Sequence, residues 1–108
     1  MVRETYTIPT GRAALIVATY IEIRRISAAT TVGLVRADVS TSILGGAFSI
    51  LLSGVRFVDN TLNVFYKHSR DQCLFLFEDD YISIATADAS IGGSCEYIIN
   101  VFLNEFDI

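Results

Sequence analysis

Apolar residues recur at every second position through much of this chain, and that spacing restricts it to extended strands. A strand places successive side chains on opposite faces, so a two-residue repeat gives one apolar face. The longest example predicts a core face made of Leu15, Val17, Thr19, Ile21 and Ile23. Val, Ile, Thr, Tyr and Phe, which favour strands, are frequent in every segment. The pattern therefore predicts an all-β protein.

Clusters of Gly, Pro, Asn, Asp and Ser divide the chain into eight expected strands. The expected strands are residues 2–8, 13–25, 30–39, 47–58, 62–67, 72–77, 81–87 and 95–106. Residues 40–46 and His68–Asp71 are expected to be loops, 72–77 a buried strand, and Gly54 a bend. Turns spaced by roughly 8–12 residues predict one eight-stranded antiparallel β-sandwich domain, jelly-roll-like, over residues 1–108.

Two segments leave a helix as an alternative. Residues 13–27 could form a helix that begins after Thr10, but β-branched residues lose rotamer freedom in helices and no clean polar stripe follows the helical period. In residues 95–106, Glu96, Asn100 and Asn104 would share one stripe of a helix, whereas a strand would give one wholly apolar face. The β-branched content favours a strand in both places.

Composition narrows the classes of function. Hydrophobic residues make up 52% of the chain and charged residues 19%, which excludes intrinsic disorder and suggests that a partner covers part of the surface. The net charge is −4 and the basic residues are scattered, so nucleic-acid binding is not expected. The longest uncharged run, Val39–Val55, has 17 residues and several Ser and Gly, so a membrane span is not expected. Residues 1–5 contain no apolar segment of the kind a signal peptide has, so none is expected.

Few residues suggest chemistry. His68 is the only histidine and lies among polar neighbours, so a surface role is favoured over a catalytic or metal-binding one. Glu78–Asp80 is the densest acidic cluster, but no calcium-loop pattern surrounds it. Cys73 and Cys95 could pair, although free buried thiols in a reducing cytoplasm fit better. The sequence predicts no catalytic centre, no metal and no cofactor.

Two segments resemble small jelly-roll proteins from the virions of tailed bacteriophages. Residues 6–15, Tyr-Thr-Ile-Pro-Thr-Gly-Arg-Ala-Ala-Leu, resemble the strand–Pro–x–Gly–basic–Ala opening of those domains. Residues 80–97 resemble their penultimate hairpin, with an acidic turn, a strand, a Thr/Ser-x-Asp-Ala-Ser loop, two glycines and a final strand. Where that family has Gly-Asp before the penultimate strand, this chain has Asp79-Asp80, so its turn must be of another type.

The resemblance implies a non-enzymatic structural protein, assembled in the host cytoplasm and located in the virion. The expected role is capsid decoration, in which a homo-oligomer, with a trimer favoured, binds and stabilises the shell through the major capsid protein or another virion protein. A fibre module that binds glycans through loops 40–46 and 88–94, and a small acidic inhibitor or immunity protein, are the alternatives. The candidate interface residues are Tyr6, Arg12, Arg24, Arg25, Tyr66, Asp79, Asp80 and Asp88.

Overall fold

The computed structural model describes residues 2–44 and 46–108, apart from the side chains of residues 2 and 71–73, and these ranges contain seven β-strands. The strands are β1 (Val2–Thr7), β2 (Arg12–Ser27), β3 (Val35–Ile43), β4 (Phe48–Phe57), β5 (Val64–Phe77), β6 (Tyr81–Asp88) and β7 (Ser94–Asp107). The all-β prediction is confirmed. Both segments for which a helix was the alternative are strands, β2 and β7.

Two antiparallel sheets pack face to face and form the predicted β-sandwich. The four-stranded sheet has the order β1-β6-β3-β4, and the three-stranded sheet has the order β5-β2-β7. Among the described strands, only the β3–β4 connection joins neighbours within one sheet, and every other connection crosses between the sheets. The three-stranded sheet lies over β4, β3 and β6.

The core lies between the two central strands, β2 and β3. Burial alternates along β3, where Val35, Ala37 and Val39 are fully buried and the residues between them are half-buried. Opposite them, Ile21 and Ile23 of β2 are also fully buried. Burying a valine or isoleucine side chain stabilises a fold by about 1.5–3 kcal/mol, so this layer contributes strongly to stability.

The expected number of strands was wrong by one. His68–Asp71, expected to be a loop, is continuous with β5, so the predicted strands 62–67 and 72–77 form a single element. His68 pairs with Tyr20 and Ser69 pairs with Thr19 of β2. Because β5 is an edge strand, the polar side chains on its outer face stay in water, and a polar stretch does not require a loop there.

Two further boundaries differ around β3. This strand begins at Val35 and continues to Ile43, so most of the expected loop 40–46 is a strand. The irregularity expected at Gly54 occurs beside it, where the β3–β4 register shifts between Val39 and Ser40. Gly54 instead leaves room for Asp38, because a Cβ at Gly54 would lie 2.7 Å from the Asp38 Oδ1.

Candidate interaction surfaces

The outer face of the three-stranded sheet carries a row of phenylalanine side chains. In the strand register, Ala13 of β2 lies between Phe77 of β5 and Phe106 of β7. Leu15 lies opposite Phe75, and Ala18 lies opposite Phe102. Side chains smaller than phenylalanine on the central strand thus form a trough, with rings on both sides at Ala13 and on one side at Leu15 and Ala18. We call this surface the aromatic face, and it consists of Ala13, Leu15, Ala18, Phe75, Phe77, Phe102 and Phe106.

The rings of the aromatic face are open to solvent. The exposed fractions are 51% for Phe75, 57% for Phe77, 49% for Phe102 and 41% for Phe106. Phe75 and Phe106 contact each other edge to face across the trough, with ring centroids 6.3 Å apart, and Ala13 beneath is fully buried. The prediction of a wholly buried strand at 72–77 is therefore wrong for Phe75 and Phe77. Contiguous exposed apolar surface of this kind marks sites where proteins associate.

Polar and charged groups occupy the other half of the same sheet face. Tyr20 donates a 2.7 Å hydrogen bond to Glu22, and the Arg24 guanidinium lies 3.4 Å from the other oxygen of that carboxylate. The hydrogen bond to Glu22 is the main reason that the pKa of Tyr20 is raised. His68 packs edge to face on Tyr20 with ring centroids 6.0 Å apart. This half of the face therefore combines charges of both signs with aromatic rings.

Of the predicted interface residues, Tyr66 and Arg24 lie on this outer face, and Tyr6 and Arg12 lie at its side. Tyr66 is 69% exposed and pairs with Glu22 in the register, next to Arg24. Tyr6 lies on β1 and donates a hydrogen bond to Glu105 of β7, which is the main cause of its raised pKa. Arg12 begins β2 and forms a 2.8 Å ion pair with Asp107. The four residues do not form one cluster.

Two other predicted interface residues are inside the fold, which corrects their assignment. Arg25 is 2% exposed, because the strand alternation turns it toward the core while Arg24 points outward. Asp80 is 9% exposed, and its carboxylate accepts a 2.9 Å hydrogen bond from the Phe77 amide. A buried side chain that is used within its own chain is not accessible to a partner.

The remaining two candidates lie at opposite ends of β6. Asp79 is exposed and takes a left-handed conformation with φ of 72°, so the turn before β6 has a non-glycine residue in the backbone region that usually favours glycine. Asp88 ends the strand, and its Oδ1 accepts a 2.8 Å hydrogen bond from the Ser90 amide. The eight candidates as a group therefore do not define one surface.

A second surface is a groove between β1 and β7, along the open side of the sandwich. The core-facing residues of β7 stay half-buried there. Two adjoining clefts of about 260 Å³ each are present. We call them together the groove; its lining residues are Glu4, Thr5, Tyr6, Ile82, Ile84, Thr86, Tyr97, Ile99, Val101 and Leu103. The first cleft is mainly apolar, and the second combines the side chains of Ile84 and Ile99 with the polar groups of Glu4, Thr86 and Tyr97.

Raising the pH above 10 is expected to destabilise the fold through Tyr97 of the groove. Burial raises the pKa of Tyr97 to about 12, so the folded chain keeps a proton that the unfolded chain releases near pH 10. The contribution of protonated Tyr97 to the free energy of unfolding is complete below pH 10 and is lost as the pH rises toward 12. Because the ring is half-exposed, solvent screening limits the loss to about 1 kcal/mol.

Urea unfolding at pH 8 and pH 11 measures this effect. The variant Tyr97→Phe should lose less stability between the two pH values than the wild type. Tyr66→Phe, which changes an exposed ring, should lose as much as the wild type. An equal pH response in the wild type and Tyr97→Phe would contradict the assignment to Tyr97.

The described side chains suggest no metal centre. No group of three or more His, Cys, Asp or Glu among them could hold a metal ion. Cys95 is a free, partly buried thiol, and desolvation is the main reason that its pKa is raised. The disulfide considered between Cys73 and Cys95 involves the Cys73 side chain, which lies outside the described side chains. No helix long and apolar enough to cross a membrane occurs within the described ranges.

Comparison with known proteins does not place the chain in a family. Neither the family models nor the curated proteins that were searched match it.

Proposed function

We propose that this chain is a non-enzymatic structural protein that associates with further copies of itself through the aromatic face. The observation that carries the proposal is the set of four phenylalanine rings, 41–57% exposed, on one side of a single sheet. Aromatic residues are enriched in protein interfaces and supply much of their binding energy. A well-ordered sheet that displays them has little conformational entropy to lose on association.

A second copy of the chain is the occupant that the charges of this sheet face favour. Charges of both signs border the phenylalanine rings: Arg70 lies beside Ala18 in the register, on the side away from Phe102, and Arg24, Glu22 and Glu96 lie further along the same face. A face with both signs of charge can complement a rotated copy of itself. Closed rotational symmetry then lets identical contacts repeat in every protomer, as in most homo-oligomers.

The sequence resemblance specifies this proposal further. We propose that the oligomer, with a trimer favoured, decorates the capsid of a tailed bacteriophage and stabilises the assembled shell. In that role, many weak contacts with neighbouring capsid subunits add up through multivalency. The partner is then the major capsid protein or another virion protein, and the location is the virion.

Two measurements test the proposal separately. The solution mass of the purified chain tests self-association, and its binding to shells tests capsid decoration. Sedimentation velocity over a range of concentrations should show an oligomer. Expanded shells that lack the chain, prepared from the virus that encodes it, should bind the chain on co-sedimentation and disassemble at a higher temperature with it than without it. A monomer at every concentration would exclude the self-association, and shells that neither bind the chain nor gain heat resistance would exclude decoration.

A further inference from the structure

The three-stranded sheet leaves one side of the four-stranded sheet uncovered. Its strands lie over β4, β3 and β6, and β1 extends beyond them. The side chains of Glu4 and Tyr6 on β1 face the space between the sheets, since they pair with the core-facing residues Ile84 and Ile82. A fourth strand of the three-stranded sheet would lie beside β7, across from β1.

The edge of β7 that borders this position is long. One edge of β7 pairs with β2 from Ser94 to Asp107, and the other pairs with none of the described strands. An unpaired edge offers a row of backbone donors and acceptors to another extended chain. Strand addition to such an edge is a common way of binding a peptide, in which pockets for alternate side chains supply the specificity.

The two clefts of the groove have the spacing of alternate strand residues. Val101 and Leu103 line the first cleft, and Tyr97 and Ile99 line the second. The centres of these two pairs lie four residues apart on β7, or about 13 Å at the rise of an antiparallel strand. A strand added alongside β7 would therefore place residue i in one cleft and residue i+4 in the other.

Glu4 lies where the two clefts meet, because it lines both of them. Its side chain is exposed and forms no ion pair with any described residue. Residue i+2 of an added strand would point toward this carboxylate from between the two clefts. A lysine or arginine at i+2 would complement it, whereas an acidic residue would be repelled.

We propose that the groove binds an extended segment of another protein with an apolar–x–basic–x–apolar pattern. The segment adds to the free edge of β7 as a fourth strand. Its two apolar side chains fill the clefts, and the basic side chain between them pairs with Glu4. This binding is independent of the aromatic face, which lies on the opposite surface of the same sheet.

The sequence of the chain itself argues against a second copy as the occupant. None of its eight basic residues has an apolar residue at both second-neighbour positions. The second neighbours are, for example, Ile23 and Ser27 around Arg25, and Phe65 and Ser69 around Lys67. A strand donated by another copy would therefore leave a cleft empty or Glu4 without a partner.

Selection from a displayed library of random twelve-residue peptides on the full chain tests the proposal. Enriched peptides should share the apolar–x–basic–x–apolar pattern. A synthetic peptide of the enriched sequence should slow hydrogen exchange of β7 amides. Glu4→Lys should weaken its binding at least tenfold, and replacing the basic residue of the peptide by Glu should restore binding to that variant.

Thr7→Lys is the matched control, because Thr7 is exposed on the same strand and pairs with Tyr81, on the outer face of the sheet. It places a lysine on the same strand outside the groove, with a charge change of +1 against the +2 of Glu4→Lys, and should leave binding within twofold of the wild type. The proposal is overturned if selection gives no shared pattern or no binders, if protection appears away from β7, or if Glu4→Lys and Thr7→Lys weaken binding equally. These outcomes leave the self-association through the aromatic face unaffected.

Discussion

Replacing Arg25 by alanine is expected to lower the free energy of unfolding by about 3 kcal/mol, within the range for large-to-small changes in a core. The Arg25 side chain is 2% exposed and fills the end of the core. Its guanidinium lies 5.9 Å from the centre of the Phe57 ring. Alanine would leave a cavity in this place, and the loss corresponds to a melting temperature lower by roughly 10–20 °C.

The same guanidinium joins the loops at this end of the sandwich. It donates long, 3.4 Å hydrogen bonds to the Ser27 carbonyl and the Ser90 hydroxyl. Gly93 packs so closely against it that an added Cβ would lie 2.8 Å from the Arg25 Nη1. No carboxylate of the described side chains forms an ion pair with Arg25. The contribution of Arg25 is therefore expected to come from packing more than from charge.

Arg25→Met separates packing from charge. Methionine keeps most of the volume and removes a buried charge whose desolvation is costly and which no ion pair among the described side chains offsets. We expect Arg25→Met to stay within about 1 kcal/mol of the wild type while Arg25→Ala falls well below it. Urea unfolding followed by far-ultraviolet circular dichroism suits a chain without tryptophan. Equal losses in the two variants would show that the charge itself stabilises this end of the fold.

The sequence predicted the strands better than the direction of their faces. Alternation identified β2 correctly, but the expected core face from Leu15 to Ile23 is not continuous. The register of β2 shifts between Ile16 and Ala18, so Ile16 points into the core and Leu15 points outward. A bulge inserts one residue and reverses every side chain beyond it, and a sequence pattern does not show where it occurs.

The aromatic face was missed for a related reason. The run Cys73–Phe77 is apolar at every position, so a two-residue repeat cannot say which side faces the core. The structure buries Leu76 and exposes Phe75 and Phe77. The covered face of β5 is the one that meets the other sheet, and the position of that sheet is set by long-range strand pairing. Local pattern therefore predicted the fold class, while the candidate surfaces required the pairing of the sheets.

Introducing a charge at Phe102 of the aromatic face is expected to weaken self-association strongly. Phe102 is 49% exposed and lies opposite Ala18 on the central strand. Phe102→Lys should leave the fold intact, because the ring already contacts water. The added lysine would lie in the same register row as Arg70, whose charge repels it. Loss of an aromatic anchor from an interface commonly costs 2 kcal/mol or more, or at least about 30-fold in affinity.

Phe48→Lys is the matched control for this change. Phe48 is 58% exposed at the start of β4, in the other sheet, so the substitution and the added charge are the same while the surface differs. Sedimentation velocity should show wild type and Phe48→Lys as the same oligomer and Phe102→Lys as a monomer. If both variants dissociate, net charge governs assembly, and if neither does, the copies associate through another surface. Only the selective loss in Phe102→Lys supports the aromatic face, because it depends on position and not on charge.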